Sequence, residues 1–126
     1  LWQQQLPATG LAHRLLTHLP REQYLEALAG VDALVGNSSS GIIEAASFDL
    51  PVLDLGSRQQ ARERSANVLH APLEAVAIAQ ALAQALARGR QPTFNVYGDG
   101  GAAGRIVELL ATTPLSPALL AKLNSY

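Results

Sequence analysis

The stretch with the most chemical content is Val35-Gly36-Asn37-Ser38-Ser39-Ser40-Gly41-Ile42-Ile43-Glu44. An apolar run passes into three serines and a glycine, and a helical pattern follows. That arrangement puts backbone N–H groups and hydroxyls at a helix N-terminus, where orphan amides and the positive end of the helix dipole favour a phosphate. Gly41 would let the backbone approach such a ligand closely. Ordinary capping competes with this reading, since serine is a favoured N-cap. Capping uses one serine, however, and here there are three. Glu44 stands four residues after Ser40, so the capping-box spacing fits only with a cap at Gly41. A carboxylate one turn into such a helix can instead accept two ribose hydroxyls.

A second set follows the next apolar run: Gly56-Ser57-Arg58-Gln59-Gln60-Ala61-Arg62-Glu63-Arg64. Its three arginines offer donors for a diphosphate. Arg58, first after the run, is the ligand candidate; Arg62 and Arg64 read as a solvated helix face. His70 ends a further apolar run and is a secondary candidate, with Asn37 and Ser40. His13 and His18 read as structural, and Trp2, Tyr24 and Phe94 as packing residues. Gly98-Asp99-Gly100-Gly101-Ala102-Ala103 has the glycine spacing of a dinucleotide fingerprint. It lacks the acid about 20 residues further on, because Glu108 is the last acid in the chain. It reads as a turn before a helix, with Asp99 as cap.

These residues need elements to position them. Short apolar runs at Ala33–Val35, Pro51–Leu55 and Asn67–Leu69, with Leu11–Thr17 as a weaker one, predict strands covered on both faces. Glu74–Arg88 predicts a helix: Ile78, Leu82 and Leu86 recur at every fourth position and Gly89 ends it. Helices are also predicted at Arg21–Ala29, at about Ser40–Phe48, and at Arg105–Ala111 with Ile106, Leu109 and Leu110 on one side. Alternating strand and helix imply an α/β fold with a parallel sheet and right-handed crossovers. The carboxyl edge of such a sheet is where ligands bind.

Composition narrows the classes. The 126 residues suit one domain, with an α/β core over 1–111 and a tail over 112–126 that packs on a neighbouring domain. There is no cysteine, so thiol catalysis and disulfides are excluded. Nine Lys and Arg against ten Asp and Glu argue against nucleic-acid binding by a basic face. No apolar stretch approaches the ~20 residues of a membrane span, and no signal-peptide pattern opens the chain. The expected location is cytoplasmic, with no metal and no cofactor. Leu1 and the absence of methionine suggest a piece of a longer protein.

The residues above, continued by Phe48-Asp49-Leu50-Pro51-Val52, Asn67-Val68-Leu69-His70, Tyr97-Gly98-Asp99-Gly100 and Arg105-Ile106, resemble the UDP-N-acetylglucosamine 2-epimerases, in their hydrolysing branch. The resemblance implies a Rossmann-like sheet with flanking helices, part of the C-terminal domain of a GT-B architecture. It implies a missing N-terminal Rossmann-like domain as partner, a UDP-sugar as substrate, and possible homo-oligomers. The whole enzyme would eliminate UDP, pass through a glycal, and add water with inversion at C2, feeding sialic-acid-like sugar synthesis. By the same resemblance Ser38, Ser39 and Gly41 match the diphosphate loop, Glu44 the ribose carboxylate and Arg58 the phosphate-side arginine. The acid–base residues of the family have no counterpart here, so no catalytic residue is expected and the chain alone should be inactive. A GT-B glycosyltransferase domain and a non-catalytic binding module are the rival readings. Asp49 and Ala61 stand where the family has glycine. Asp49 is expected just past a helix end with φ > 0, where glycine would do as well or better, by about 0.5–1 kcal/mol.

Overall fold

Val52-Leu53-Asp54-Leu55 is the middle strand of the sheet, and its first three residues are buried. The computed structural model describes residues 5–121. The strands are β1 (Leu34–Gly36), β2 (Val52–Leu55) and β3 (Val68–Ala71), in the order β1-β2-β3 and parallel throughout. Four helices accompany them: α1 (Arg21–Gly30), α2 (Ser39–Ile43), α3 (Ala75–Arg88) and α4 (Ala102–Thr112). A short α5 (Pro117–Leu120) starts at Ser116, whose hydroxyl accepts from the Leu119 amide. The parallel α/β class is as the alternating pattern predicts.

Alternation along the strands separates two faces. Leu34, Val52 and Val68 are register neighbours. Leu34 and Val52 meet α2 at Gly41. Leu53 and Leu69 point to the other side, where Leu69 and Ala85 of α3 line a shared cavity. The core joins Leu28 of α1, Ala45, Leu50 and Val52, with Tyr24, Leu25, Leu34, Phe48 and Val68 packed on it.

Several elements differ from the sequence expectations. Leu11–Thr17 is no strand: the described sheet offers it no partner, and Leu11, Leu15 and Leu16 stay exposed. The predicted helix over Ser40–Phe48 divides into α2 and a 3₁₀ turn at Ala45–Phe48. No helix joins β2 to β3, so Arg62 and Arg64 lie on a looped crossover and not on a helix face. On α3, Leu86 is 51% exposed while Ala85 is buried. A step of four residues overshoots a turn by about 40°, so the Ile78, Leu82, Leu86 series drifts off the face and Ala85 takes its place. Phe94 is 79% exposed, so it is not the packing residue that the sequence suggests. Ile106, Leu109 and Leu110 of α4 share one side, as the spacing predicts, yet each is more than half exposed. Trp2 and residues 122–126 of the tail lie outside the described residues.

Arg90 fastens the end of α1 to the 3₁₀ turn. Its Nη2 donates to the carbonyls of Leu28 at 2.9 Å, Ala29 at 2.8 Å and Val31 at 2.6 Å, and its Nη1 to that of Phe48. These are orphan acceptors at the end of a helix and of a turn, and the cation complements the negative helix terminus.

Gly41 is buried, and a Cβ there would lie 2.9 Å from Val52 Cγ1. Gly41→Ala would gain helix propensity of about 1 kcal/mol but overpack the core by about 1–3 kcal/mol. We expect a net loss of stability in denaturant unfolding, and a smaller loss from Gly41→Ala when it is made in the Val52→Ala background, where the clashing methyl is absent.

Asp49 does take a left-handed conformation, φ 53° and ψ 22°, directly after the 3₁₀ turn. Its Oδ1 also accepts from the Thr93 amide at 2.8 Å, a contact the sequence does not reveal. Asp49→Gly therefore relieves backbone strain but leaves that amide without its acceptor, at a cost of about 1–3 kcal/mol. The expectation that glycine is neutral or better is reversed. Asp49→Gly should lower the melting temperature, and Asp49→Asn, which keeps the acceptor, should lower it less.

Candidate functional site

β1 ends at Gly36, and Asn37 and Ser38 carry the chain over the carboxyl edge of the sheet into α2. Ser38 is the N-cap: its Oγ accepts from the Ser40 amide at 3.3 Å, and its carbonyl accepts from the Gly41 amide at 3.2 Å. The Ser40 hydroxyl lies 2.6 Å from the Tyr24 hydroxyl on α1. Each of these serines thus has a structural partner. Ser39 is the one whose hydroxyl enters no hydrogen bond among the described residues. Gly41 turns its Cα to Val52 and Leu34, so close packing of α2 on the sheet already requires glycine there.

α2 is a single turn and a half of helix, so its dipole is weaker than a long helix would supply. Anion affinity at this turn must come chiefly from local amides, hydroxyls and nearby cations. Arg58 reaches the turn from the loop after β2. Its Nη1 donates to the Asn37 carbonyl at 2.9 Å, and the residue is exposed. Gln59 Nε2 donates to the same carbonyl at 2.9 Å. Gln59 is buried, and sequence reasoning gave it no role. The loop after β2 therefore grips the loop after β1 by two donors on one oxygen.

Glu44 is tied to α1. Its Oε1 pairs with Arg21 Nη1 at 2.5 Å. The Ser40 hydroxyl, and to a lesser degree Arg21, hold its carboxyl below the usual carboxylate range against the opposing effect of partial burial. Tyr24, Ser40, Glu44 and Arg21 so form one polar seam between α1 and α2. A ribose reaching Glu44 would meet a carboxylate already ionised and oriented.

His70 sits at the third position of β3, level with Asp54 of β2 and Gly36 of β1. Asp54 is 1% exposed and its Oδ2 accepts from Arg64 Nη2 at 2.9 Å. Arg64 is therefore a partner of a buried carboxylate, which corrects its reading as a solvated residue. Asp54 itself was missed, because an acid in a four-residue apolar run gives no sign of which partner will reach it. Asp99 is not the cap of α4: Gly101 takes that position, with no side-chain cap bond, while Asp99 Oδ1 accepts from the Gly101 amide at 2.8 Å and both its oxygens pair with Arg105. His13 is exposed and bonds the nearby Leu11 carbonyl. Among the described residues no group of three or more His, Asp or Glu side chains is placed to hold a metal. No described helix is long and apolar enough to cross a membrane.

A parallel sheet with flanking helices, a capped serine turn and an arginine-bearing loop at one carboxyl edge defines a Rossmann-like α/β fold. Within it, the sequence model of the family described as UDP-N-acetylglucosamine 2-epimerase matches residues 3–111. The chain belongs to that family. It is 46% identical over 113 residues, 90% of its length, to the UDP-N,N'-diacetylbacillosamine 2-epimerase (hydrolyzing) of Legionella pneumophila, and covers 30% of that protein. It is 36% identical over 79 residues to the UDP-N-acetylglucosamine 2-epimerase of Neisseria meningitidis, which is 63% of this chain and 21% of the other. Over 56 residues it is 38% identical to the GDP/UDP-N,N'-diacetylbacillosamine 2-epimerase (hydrolyzing) of Campylobacter jejuni, 44% of this chain and 15% of that one. The chain thus spans less than a third of the length of these relatives.

Glu44 gives the site a pH signature. Its folded carboxyl is the stronger acid, so its contribution is complete above the unfolded carboxyl's value of about 4.3 and is lost as pH falls through the lower folded value. With a partly exposed pair the contribution should be under about 1 kcal/mol. In denaturant titrations from pH 3 to 7, the stability difference between the parent and Glu44→Gln should be largest above pH 5 and shrink on the acid side. A difference constant with pH would show that the carboxylate is not engaged.

Proposed function

We propose that this chain is the nucleotide-sugar-binding part of a hydrolysing UDP-sugar 2-epimerase. The observation that carries the reading is the 46% identity over 90% of the chain to a protein named for that reaction. The geometry supports it: the serine turn, Arg58 and Glu44 lie around one carboxyl edge, which is where an α/β sheet takes a nucleotide. In this reading the Ser38–Gly41 segment and Arg58 hold the diphosphate, Glu44 accepts from the ribose hydroxyls, and Asn37, Ser40 and His70 line the approach.

The sugar is a 2-acetamido hexose, either N-acetylglucosamine or its diacetamido relative, both of which occur in the names of the relatives. The product would be the free 2-epimer with UDP, a precursor for sialic-acid-like sugars, in keeping with a 38% identical relative named Polysialic acid biosynthesis protein P7 in Escherichia coli. The acid–base groups belong to the remainder of a longer protein with GT-B architecture, so the present residues bind and orient but do not turn over substrate. General acid–base groups contribute about 10²–10⁴ each in rate, and this chain alone should release no UDP in a coupled assay.

Arg58 and Glu44 allow a sharper test in the full-length protein. A charge-assisted hydrogen bond contributes about 1.5–3 kcal/mol, so Arg58→Ala should weaken UDP roughly ten- to a hundred-fold and uridine far less. Gln59 holds the same Asn37 carbonyl, so the turn keeps one tether in that variant. Glu44→Gln should erase the preference for UDP over 2′-deoxy-UDP with little change in phosphate dependence. Calorimetric titration of UDP, uridine and 2′-deoxy-UDP measures all three. Unchanged UDP affinity in Arg58→Ala would overturn the site assignment, and turnover by the isolated chain would overturn the division of labour.

A further inference from the structure

Asp54, Arg64 and His70 form a cluster that neither the serine turn nor Arg58 accounts for. Asp54 is 1% exposed, yet among the described residues its carboxylate has a single hydrogen bond, from Arg64 Nη2 to Oδ2 at 2.9 Å. Its Oδ1 is buried with no partner among the described residues. A buried carboxylate is costly unless it is paired and hydrogen-bonded at its remaining lone pairs. The other donor-bearing group within ion-pair reach is His70, whose Nδ1 lies 3.7 Å from Oδ2. That separation is too long for a hydrogen bond, but an approach of less than 1 Å closes it, and the ring is on the same row of the same sheet face as Asp54.

The closure has a chemical consequence. A neutral imidazole has one donor nitrogen and one acceptor, and the partner of one nitrogen sets the state of the other. Asp54 accepts only, so it requires the proton on Nδ1. Nε2 is then an acceptor, at the end of the ring away from the buried acid. His70 is 36% exposed, so the ring has an open side. Across two strand spacings of about 4.8 Å each, His70 is about 10 Å from Gly36, where the chain enters the serine turn. A phosphate held at that turn leaves this span for the second phosphate and the sugar.

We propose that Asp54 is a positioning residue that holds His70 in the Nδ1–H tautomer and thereby presents Nε2 as a hydrogen-bond acceptor to a hydroxyl or amide N–H of the sugar of a nucleoside-diphosphate sugar. This rests on the nucleotide-sugar reading above. Arg64 completes the device by pairing with Asp54 from the other side, which holds the carboxylate in place beside His70. A cluster with a purely structural role needs only the Asp54–Arg64 pair and leaves His70 in the Nε2–H form that an unconstrained histidine side chain favours in water.

Long-range proton–nitrogen correlation spectra of the intact, ¹⁵N-histidine-labelled protein, recorded at a pH above the ordinary histidine value, read the tautomer directly. The His70 signals are assigned by their loss in His70→Gln. The parent should show Nδ1–H; Nε2–H in the parent overturns the proposal without any variant. In Asp54→Ala, Arg64 Nη2 and His70 Nδ1, which share Oδ2, lose their common acceptor, and the ring should turn over to Nε2–H. Retention of Nδ1–H in that variant would overturn the role of Asp54.

Addition of UDP-N-acetylglucosamine should move the His70 Nε2 resonance while His13 and His18 stay in place, and UDP alone should move it far less. Binding of the UDP-sugar with no change at His70 overturns this inference and leaves the nucleotide site standing. Failure of both UDP and the UDP-sugar to bind overturns the nucleotide reading and this role with it.

Discussion

Because β2 is covered on both faces and paired along both edges, its first three residues have no route to water, and every polar group among them must be satisfied by protein. Its backbone is satisfied by β1 and β3. Its one ionisable side chain, Asp54, is what draws the rest together. Arg64 must fold back from the β2–β3 crossover to meet it, so that crossover cannot swing out as a solvated helix. The returning loop is held further by Ser65, whose hydroxyl accepts from the Val96 amide, and by Tyr97, whose hydroxyl donates to the Glu63 carbonyl. The chain after α3 is thus laid along the same side of the sheet. One buried charge orders segments more than thirty residues apart.

The same economy governs the edge where the ligand is proposed to sit. Asn37 offers its carbonyl to both Arg58 and Gln59, so the two loops that follow β1 and β2 are one unit. On the other flank, Tyr24, Ser40, Glu44 and Arg21 join α2 to α1. A helix as short as α2 has little stability of its own. These contacts, with the capping by Ser38 and the burial of Gly41 and Ile42, are what keep it in place. Preorganisation of this kind lowers the ordering cost of binding. It also explains why three consecutive serines are useful without all three facing a ligand.

Much of the architecture was legible. Three- and four-residue apolar runs closed by glycine or by His-Ala-Pro can be only strands, and helical periodicity between them can be only crossovers, so the parallel sheet follows. Gly89 marks the end of α3, where it takes φ 60°. The serine turn marks the edge where chemistry is to be sought. Each of these signals is local: backbone sterics, side-chain period, or the shortage of hydrogen-bond partners at a helix end. A local cause leaves a local trace in the residue order.

What was not legible depends on partners far along the chain. Nothing near Arg90 says that it will take carbonyls from α1 and from the 3₁₀ turn, nor does anything near Asp49 name the Thr93 amide. Arg58, Arg62 and Arg64 look alike in a polar loop, yet one tethers the serine turn, one is exposed, and one neutralises a buried acid. Leu86 and Ala85 exchange places because the helical face is chosen by the sheet it meets. The residue order settled the class of fold, the family and the location of the serine turn, since those rest on short-range pattern. Which polar side chains are held, and by what, was decided by folding, since a hydrogen bond between distant segments acquires its energy only when burial removes the water that would otherwise take its place.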